Sequence, residues 1–278
     1  MQRSSREFRV ACELVRNGVL GKVSRVAAGF GGPAKPCDLP GEAPEAGLDW
    51  DMWLGPAPKR DYNSILSPRG VNKHFPQWRA YREYGGGGVT DWGAHHLDIT
   101  HWGIDADRSG PSQIVPPDDW SSADSGVRLQ YPNGVEVRHI KENGVTFFGS
   151  EGEVYVNRGK FQIKLGGTVH ASALSKEDKS ALPIALDFAE KEYLANAKVR
   201  LYASTDHKAD FLSSMVSRKQ PITDVETGAR TVIGCHLISL AYYHGKTIKW
   251  DPKLLSFEKG SGDSKWLHNE YRGGWKLA

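Results

Sequence analysis

Cysteine is scarce. Cys12, Cys37 and Cys235 are the only three in 278 residues, odd in number and far apart. No Cys-x-x-Cys pair or Cys/His metal spacing occurs. Unreactive thiols in a reducing, cytoplasmic compartment are therefore expected. No apolar run approaches the roughly 18 residues of a membrane span, and the start, MQRSSREFRVACELV, has no signal-peptide core. Charge of one sign is also missing. The 36 basic and 33 acidic residues are interleaved and leave a net charge of +3. Without a basic stripe, nucleic acid is excluded as the expected partner. Neither of the two nucleotide-loop look-alikes survives inspection. Gly29–Ala34, GFGGPA, follows a strand pattern, but Pro33, Pro36 and Pro40 forbid the helix that must start there to hold a pyrophosphate. It reads as a turn. Gly245-Lys246-Thr247 has Leu240 where a phosphate loop needs glycine, and it ends a helix rather than starting one.

Aromatic residues, by contrast, are plentiful, with nine Trp and ten Tyr. Such rings stack on sugars, although most of them simply fill space. At 39% apolar and 25% charged residues, a packed core is expected. Neither a repeat nor a linker divides the chain, which reads as a single domain over 1–278.

Residues 4–17 read as an amphipathic helix with a serine cap, Phe8, Cys12 and Val15 on one face, and Asn17-Gly18 as its stop. A strand follows over 21–30. Residues 31–85 are rich in Trp, Pro and Gly without periodicity, as in functional flaps. After the glycines at 85–88, VTDWGAHHLDITHWGI predicts a helix to about Trp102. Strands are predicted over 125–131, 134–140, 145–148, 152–156 and 160–166, with hairpin turns at Pro132-Asn133-Gly134 and at 157–160. Consecutive hairpins imply an antiparallel sheet. Later helices cover HKADFLSSMVSR and a long segment from Asp224 to Gly245.

The strongest constellation is Asp91, His95 and Asp98. At i, i+4 and i+7 these fall within about 60° of arc on a helix. A carboxylate beside a histidine sets its tautomer and raises its basicity, equipment for taking a proton from a hydroxyl. The structural alternative makes Asp91 a cap and His95 a hydrogen-bonded core residue. A metal reading is weaker, because His96 and His101 point off that face. Trp53, in LDWDMWLGPAP, is either a sugar-stacking residue or part of a clasp. Lys73, His74, Trp78 and Arg79 precede the glycine turn and become candidate substrate contacts through their nearness to Asp91.

DWGAHHLD, with the glycines before it, fits GGG-x-x-D-x-G-x-H-x-x-D. This resembles the core motif of the Gfo/Idh/MocA oxidoreductases, a family of sugar and inositol dehydrogenases. GSEGEVYVNRG, DFLSSMVSRKQPITDVETGARTV, LDWDMWLGPAP and MQRSSREFRVACELVRNGVLGKV extend the likeness over nearly the whole chain. The resemblance implies an α+β fold, an open, mostly antiparallel sheet with helices on one face whose exposed face pairs subunits into a homo-oligomer. It implies that Asp91 and His95 are the acid/base residues and that Asp98 supports them. It implies NAD or NADP as cofactor of the full-length family, with a sugar or cyclitol as substrate.

The sequence departs from the family in showing neither the glycine-rich nucleotide loop nor the Glu-Lys-Pro segment; Glu190-Lys191 is followed by Glu192. Residues 1–22 then read as the helix and connection leaving a nucleotide-binding domain, and no cofactor or metal site is expected in this chain alone. Three readings follow. The first is the substrate half of a dehydrogenase, inactive by itself. The second is a stand-alone carbohydrate-binding or docking subunit, which exposed apolar surface at 4–30 would favour. The third is a cofactor-independent lyase or epimerase, with Lys73 and Arg79 as candidate oxyanion stabilisers.

Overall fold

A single row of apolar side chains runs across eight strands of the sheet. Ile248, Ile114, Leu129, Val137, Val26, Phe147, Val154 and Ile163 stand side by side in register, and all are buried. Side chains alternate between faces along a strand, so the neighbouring row points the other way. That row holds Lys249, Gln113, Gln130, Glu136, Arg25, Phe148, Glu153 and Lys164. These residues pair with one another: Gln130 donates to Glu136 at 2.8 Å, Lys164 to Glu153 at 2.9 Å, and Arg25 stacks 4.2 Å over Phe148. One face is thus apolar and covered, while the other is polar and open.

The computed structural model describes residues 1–70, 75–175 and 177–276. In chain order the elements are α1 (Arg6–Arg16), β1 (Val23–Gly29), α2 (Trp50–Leu54), α3 (Gly87–Asp91), α4 (Gly93–Gly103), β2 (Gln113–Val115), β3 (Arg128–Gln130), β4 (Glu136–Ile140), β5 (Gly144–Gly149), β6 (Gly152–Asn157), β7 (Lys160–Leu165), β8 (Thr168–Ala173), α5 (Ala181–Tyr193), α6 (His207–Ser217), α7 (Val225–His244), β9 (Ile248–Asp251) and β10 (Ser256–Phe257). The sheet order is β10-β9-β2-β3-β4-β1-β5-β6-β7-β8. Among the described strands only the β1–β4 pairing is parallel. The fold is the α+β class expected, an open, mostly antiparallel sheet with helices on one face.

β1 lies between β4 and β5, so the short β4–β5 connection must cross its end. Gly29 makes this possible: a Cβ there would lie 1.5 Å from the Glu142 carbonyl oxygen. α4 packs on β1 and β5 from above, with α1 and α7 beside it. It is buried from His96 to Gly103, as befits a helix hemmed in on several sides. α7 starts and stops on local signals. The Asp224 side chain accepts from Thr227 N, and Gly245 closes the helix in the left-handed conformation.

The predicted hairpin turns at 132–134 and 157–160 are present, joining β3 to β4 and β6 to β7. Several expectations needed revision. Ser5 occupies the cap position of α1 but makes no side-chain capping bond. The helix predicted through Trp102 is interrupted at Trp92. β2, β8, β9 and β10 gave no clear pattern, being short or, in β8, exposed on the sheet edge. The apolar face of α1 is not exposed, since Phe8, Val10, Ala11, Cys12 and Leu14 are buried. Exposed apolar surface lies instead on α6, which buries none of its residues and presents Phe211, Leu212, Met215 and Val216. No helix among the described residues is long and apolar enough to cross a membrane.

Candidate active site

Two glycine runs, distant in sequence, meet backbone to backbone. After β1 the chain passes through Gly31, Gly32 and Pro33, and Pro33 forms an antiparallel bridge with Gly87. Val89 N donates to Gly32 O at 3.3 Å. A Cβ on Gly88 would sit 2.4 Å from Gly31 Cα, and Gly87 takes φ +67° in the left-handed region. Only glycine allows that approach. The contact sets the start of α3 against the end of β1 and leaves a cleft beside it.

The cleft, about 320 Å³, is lined by residues from the 75–80 segment, by Gly32, Pro33, Gly87 and Gly88, and by Asp91, Trp92 and Asp124. Arg79 crosses it. Its Nε lies 3.6 Å from Asp91 Oδ2, and its guanidinium packs 3.8 Å over Phe75 and 4.5 Å over Trp78. The cleft therefore combines two carboxylates, one guanidinium, aromatic faces and bare glycine backbone, a lining suited to a small polyhydroxylated molecule.

Past Asp91 the helix tightens. His95 N bonds to Trp92 O at 3.0 Å, three residues back, before the regular ladder resumes. Asp91 ends α3 and His95 lies in the first turn of α4. His95 is half-buried and is not part of the cleft lining. Burial first, then the Arg158 cation, hold its pKa below the ordinary histidine value, with the chain's amino group acting the same way and Asp91 and Asp98 opposing. It is thus suited to remain neutral, with a free lone pair, at neutral pH.

His96, adjacent in sequence, is fully buried. Arg158 Nη1 lies 2.9 Å from His96 Nε2, and His96 Nδ1 contacts Gly29 O. Arginine can only donate, so Nε2 accepts and Nδ1 carries the proton that goes to the carbonyl. Burial pushes the His96 pKa down to about 4, consistent with that neutral tautomer.

The sequence-predicted residues divide into groups. Asp91 and Arg79 meet in the cleft, and Trp78 lies under Arg79. Asp98 points elsewhere: its carboxylate accepts from Arg3 Nε at 3.0 Å and Nη2 at 2.7 Å, and Arg3 also binds Asp107. Trp53 stacks on Trp50 at 4.5 Å and tilts onto Tyr84 at 5.4 Å, in an aromatic clasp away from the cleft lining. Lys73 and His74 lie outside the described residues. Phe75, Gln77 and Asp124 in the lining, and Arg158 against the Trp92 ring, were not singled out from sequence. Asp124 sits in a polar stretch and Arg158 in a hairpin turn, where charged residues are ordinary. No group of three or more His, Cys, Asp or Glu among the described residues is arranged to hold a metal ion.

A family model described as the C-terminal alpha/beta domain of an oxidoreductase family matches residues 35–158. Among solved structures the chain is similar to a protein from Thermotoga maritima assigned as an oxidoreductase. That match has a TM-score of 0.50 and 13% identity, covering 88% of this chain and 60% of that one. It is similar also to an NAD-binding protein from Listeria innocua, with a TM-score of 0.50, 14% identity, and coverage of 89% and 61%. At these identities the likeness is one of fold. The chain spans about three-fifths of the length of these structures. No curated protein matches it in sequence.

Proposed function

From the match of residues 35–158 to the model of the C-terminal alpha/beta domain of the Gfo/Idh/MocA oxidoreductases, we propose that this chain is the substrate-binding half of a dehydrogenase acting on a hydroxyl of a sugar or cyclitol. The observation that carries the reading is the cleft lined by Phe75, Asp91 and Trp92, in which Asp91 faces Arg79, four residues before a histidine whose pKa burial holds below its ordinary value. In this reading Asp91 and Arg79 bind and orient the polyol hydroxyls. His95 accepts the proton of the reacting hydroxyl, with Asp91 sharing the acid/base work. This needs His95 to turn toward the cleft when the ligand is seated.

The hydride acceptor in this reading is NAD or NADP. The described residues do not fit that group. The glycine run at 29–34 uses its glycines to touch Gly87 and Gly88 and leads into no helix that would face a pyrophosphate. The acceptor must then be held by other residues, and the 278-residue chain alone binds a polyol without turning it over. The polar open sheet face, with Arg25 on Phe148, is the surface we assign to pairing of two copies. A docking-subunit reading, in which this chain joins a separate nucleotide-binding chain, draws on the exposed apolar face of α6.

Calorimetric titration of the chain with myo-inositol and glucose, and separately with NAD(H) and NADP(H), tests the proposal. Polyol binding that Asp91→Asn weakens about tenfold, the loss of one hydrogen bond to a charged group, supports it. Absence of binding to either polyol counts against it, and tight nucleotide binding would refute the assignment of the cofactor to other residues.

A further inference from the structure

Arg158 is held in place without being neutralised. Other arginines of the fold are ion-paired: Arg3 has Asp98 and Asp107, Arg6 has Asp187 and Glu190, and Arg108 has Asp224 and Glu226. Arg158 is half-buried, yet among the described residues no carboxylate oxygen lies within 4.0 Å of it. Its partners are neutral. Nη1 donates to His96 Nε2 at 2.9 Å. Gln2, with its amide oxygen turned to the guanidinium, accepts from Nε at 3.0 Å and Nη2 at 3.3 Å. The Trp92 ring lies 4.6 Å from the guanidinium carbon.

Of five N–H groups, these contacts use three and leave one on each terminal nitrogen. These two donors are available to the oxygens of a carboxylate or phosphate, the anions that a guanidinium fork binds best. A partly desolvated cation with no counter-charge is costly unless a ligand supplies one. Arg158 is not itself in the cleft lining; it borders the cleft through Trp92, which lines it next to Asp91 and lies against the guanidinium.

We propose that Arg158 receives the anionic group of the molecule bound in the cleft, so that the substrate class is an acidic sugar, bearing a carboxylate or a phosphate monoester, rather than a neutral one. This rests on the reading of the cleft as a polyol site. His96 and Gln2 are then positioning residues that aim the fork. The fixed positive charge also opposes protonation of His95, so occupancy of the fork and the state of the base are linked.

The test titrates the 278-residue chain with inorganic phosphate and acetate, following the Arg158 Nε and His96 ring signals by NMR. Glucose, glucuronate, glucose 6-phosphate and ADP-ribose are then compared by calorimetry. Phosphate or acetate should shift both signals. Glucuronate or glucose 6-phosphate should bind at least tenfold tighter than glucose, and which of them gains more separates a carboxylate from a phosphate source. Arg158→Gln should erase the advantage, and Arg158→Lys, which keeps the charge without the fork, should retain part of it. A thermal melt of each variant confirms that it folds. Anion shifts without binding of any sugar would overturn the polyol reading and with it this substrate class, while leaving an anion site at Arg158. Absence of anion shifts, equal affinity for acidic and neutral sugars, an advantage that survives in Arg158→Gln, or a gain confined to ADP-ribose would each overturn the proposal.

Discussion

Arg3 and Asp98 form a buried ion pair across 95 residues of chain, with Nη2 2.7 Å from Oδ1 and Nε 3.0 Å from both oxygens. Both residues are more than nine-tenths buried. The pair fastens the segment before α1 to the middle of α4, the helix that carries His95.

Removing Asp98 takes from the buried Arg3 one of its two carboxylate partners and leaves Asp107 as the other. Asp98→Ala is expected to destabilise the fold by about 1.5–3 kcal/mol, the loss of a charge-assisted hydrogen-bond pair with Asp107 still in place. The urea unfolding midpoint reads this directly. A change below about 1 kcal/mol would return Asp98 to the list of ligand contacts.

Gly88 and Gly228 make a contrasting pair. A Cβ on Gly88 meets Gly31 backbone atoms at 2.4–2.8 Å, whereas a Cβ on Gly228, in α7, meets nothing within 4 Å. Gly88→Ala should cost about 1–3 kcal/mol or more and deform the cleft. Gly228→Ala should be neutral or stabilise by up to about 1 kcal/mol through helix propensity. Equal melting temperatures for the two variants would contradict the backbone contact.

Acid should unfold the protein through its histidines before its carboxylates. Burial lowers His96, His101 and His139 to about 4, against about 6.5 in an unfolded chain. The unfolded state therefore binds more protons as pH falls from about 6.5 to about 4. Stability is lost across that window, at up to about 1.4 kcal/mol per pH unit for each histidine. Urea midpoints at pH 7 and pH 5 measure it. A flat profile would mean that these rings take up protons in the fold as readily as in the unfolded chain.

Trp53 is expected to matter for the flap and not for the ligand. Trp53→Ala removes the stack on Trp50 and the contact with Tyr84, a loss of roughly 1–3 kcal/mol, and should speed proteolytic cleavage within 45–60. Affinity for any cleft ligand should not change. A tenfold loss of affinity with an intact flap would make Trp53 a stacking residue after all.

Much of the frame was legible because its signals are local. Asp224 and Gly245 bound α7 through a cap and a left-handed turn. Pro132-Asn133-Gly134 reverses the chain between β3 and β4, where Asn133 accepts from Val135 N at 3.2 Å. The alternation of β5, β6 and β7 reports one buried face. β2 and β9, at three and four residues, were too short to show a period and are stabilised by neighbours that come from elsewhere in the chain.

Legible in the sequence were the hairpins of the sheet, the glycines at 85–88 and the helical segment after them, though not its break at Trp92, which puts Asp91 in α3 and His95 in α4. These follow from residue periodicity and turn chemistry within a few positions, whereas the full fold class was implied by the family resemblance. Which charges meet is set by packing between distant segments. Asp98 shares the predicted face with Asp91 yet is taken by Arg3, and the glycines that resembled a ligand loop are used where two backbones touch. Arg158, 62 residues from His96, reaches it because the β6–β7 turn and α4 are brought together by the apolar face between them. Burial of that face decides such encounters, and spacing along the chain carries no record of them.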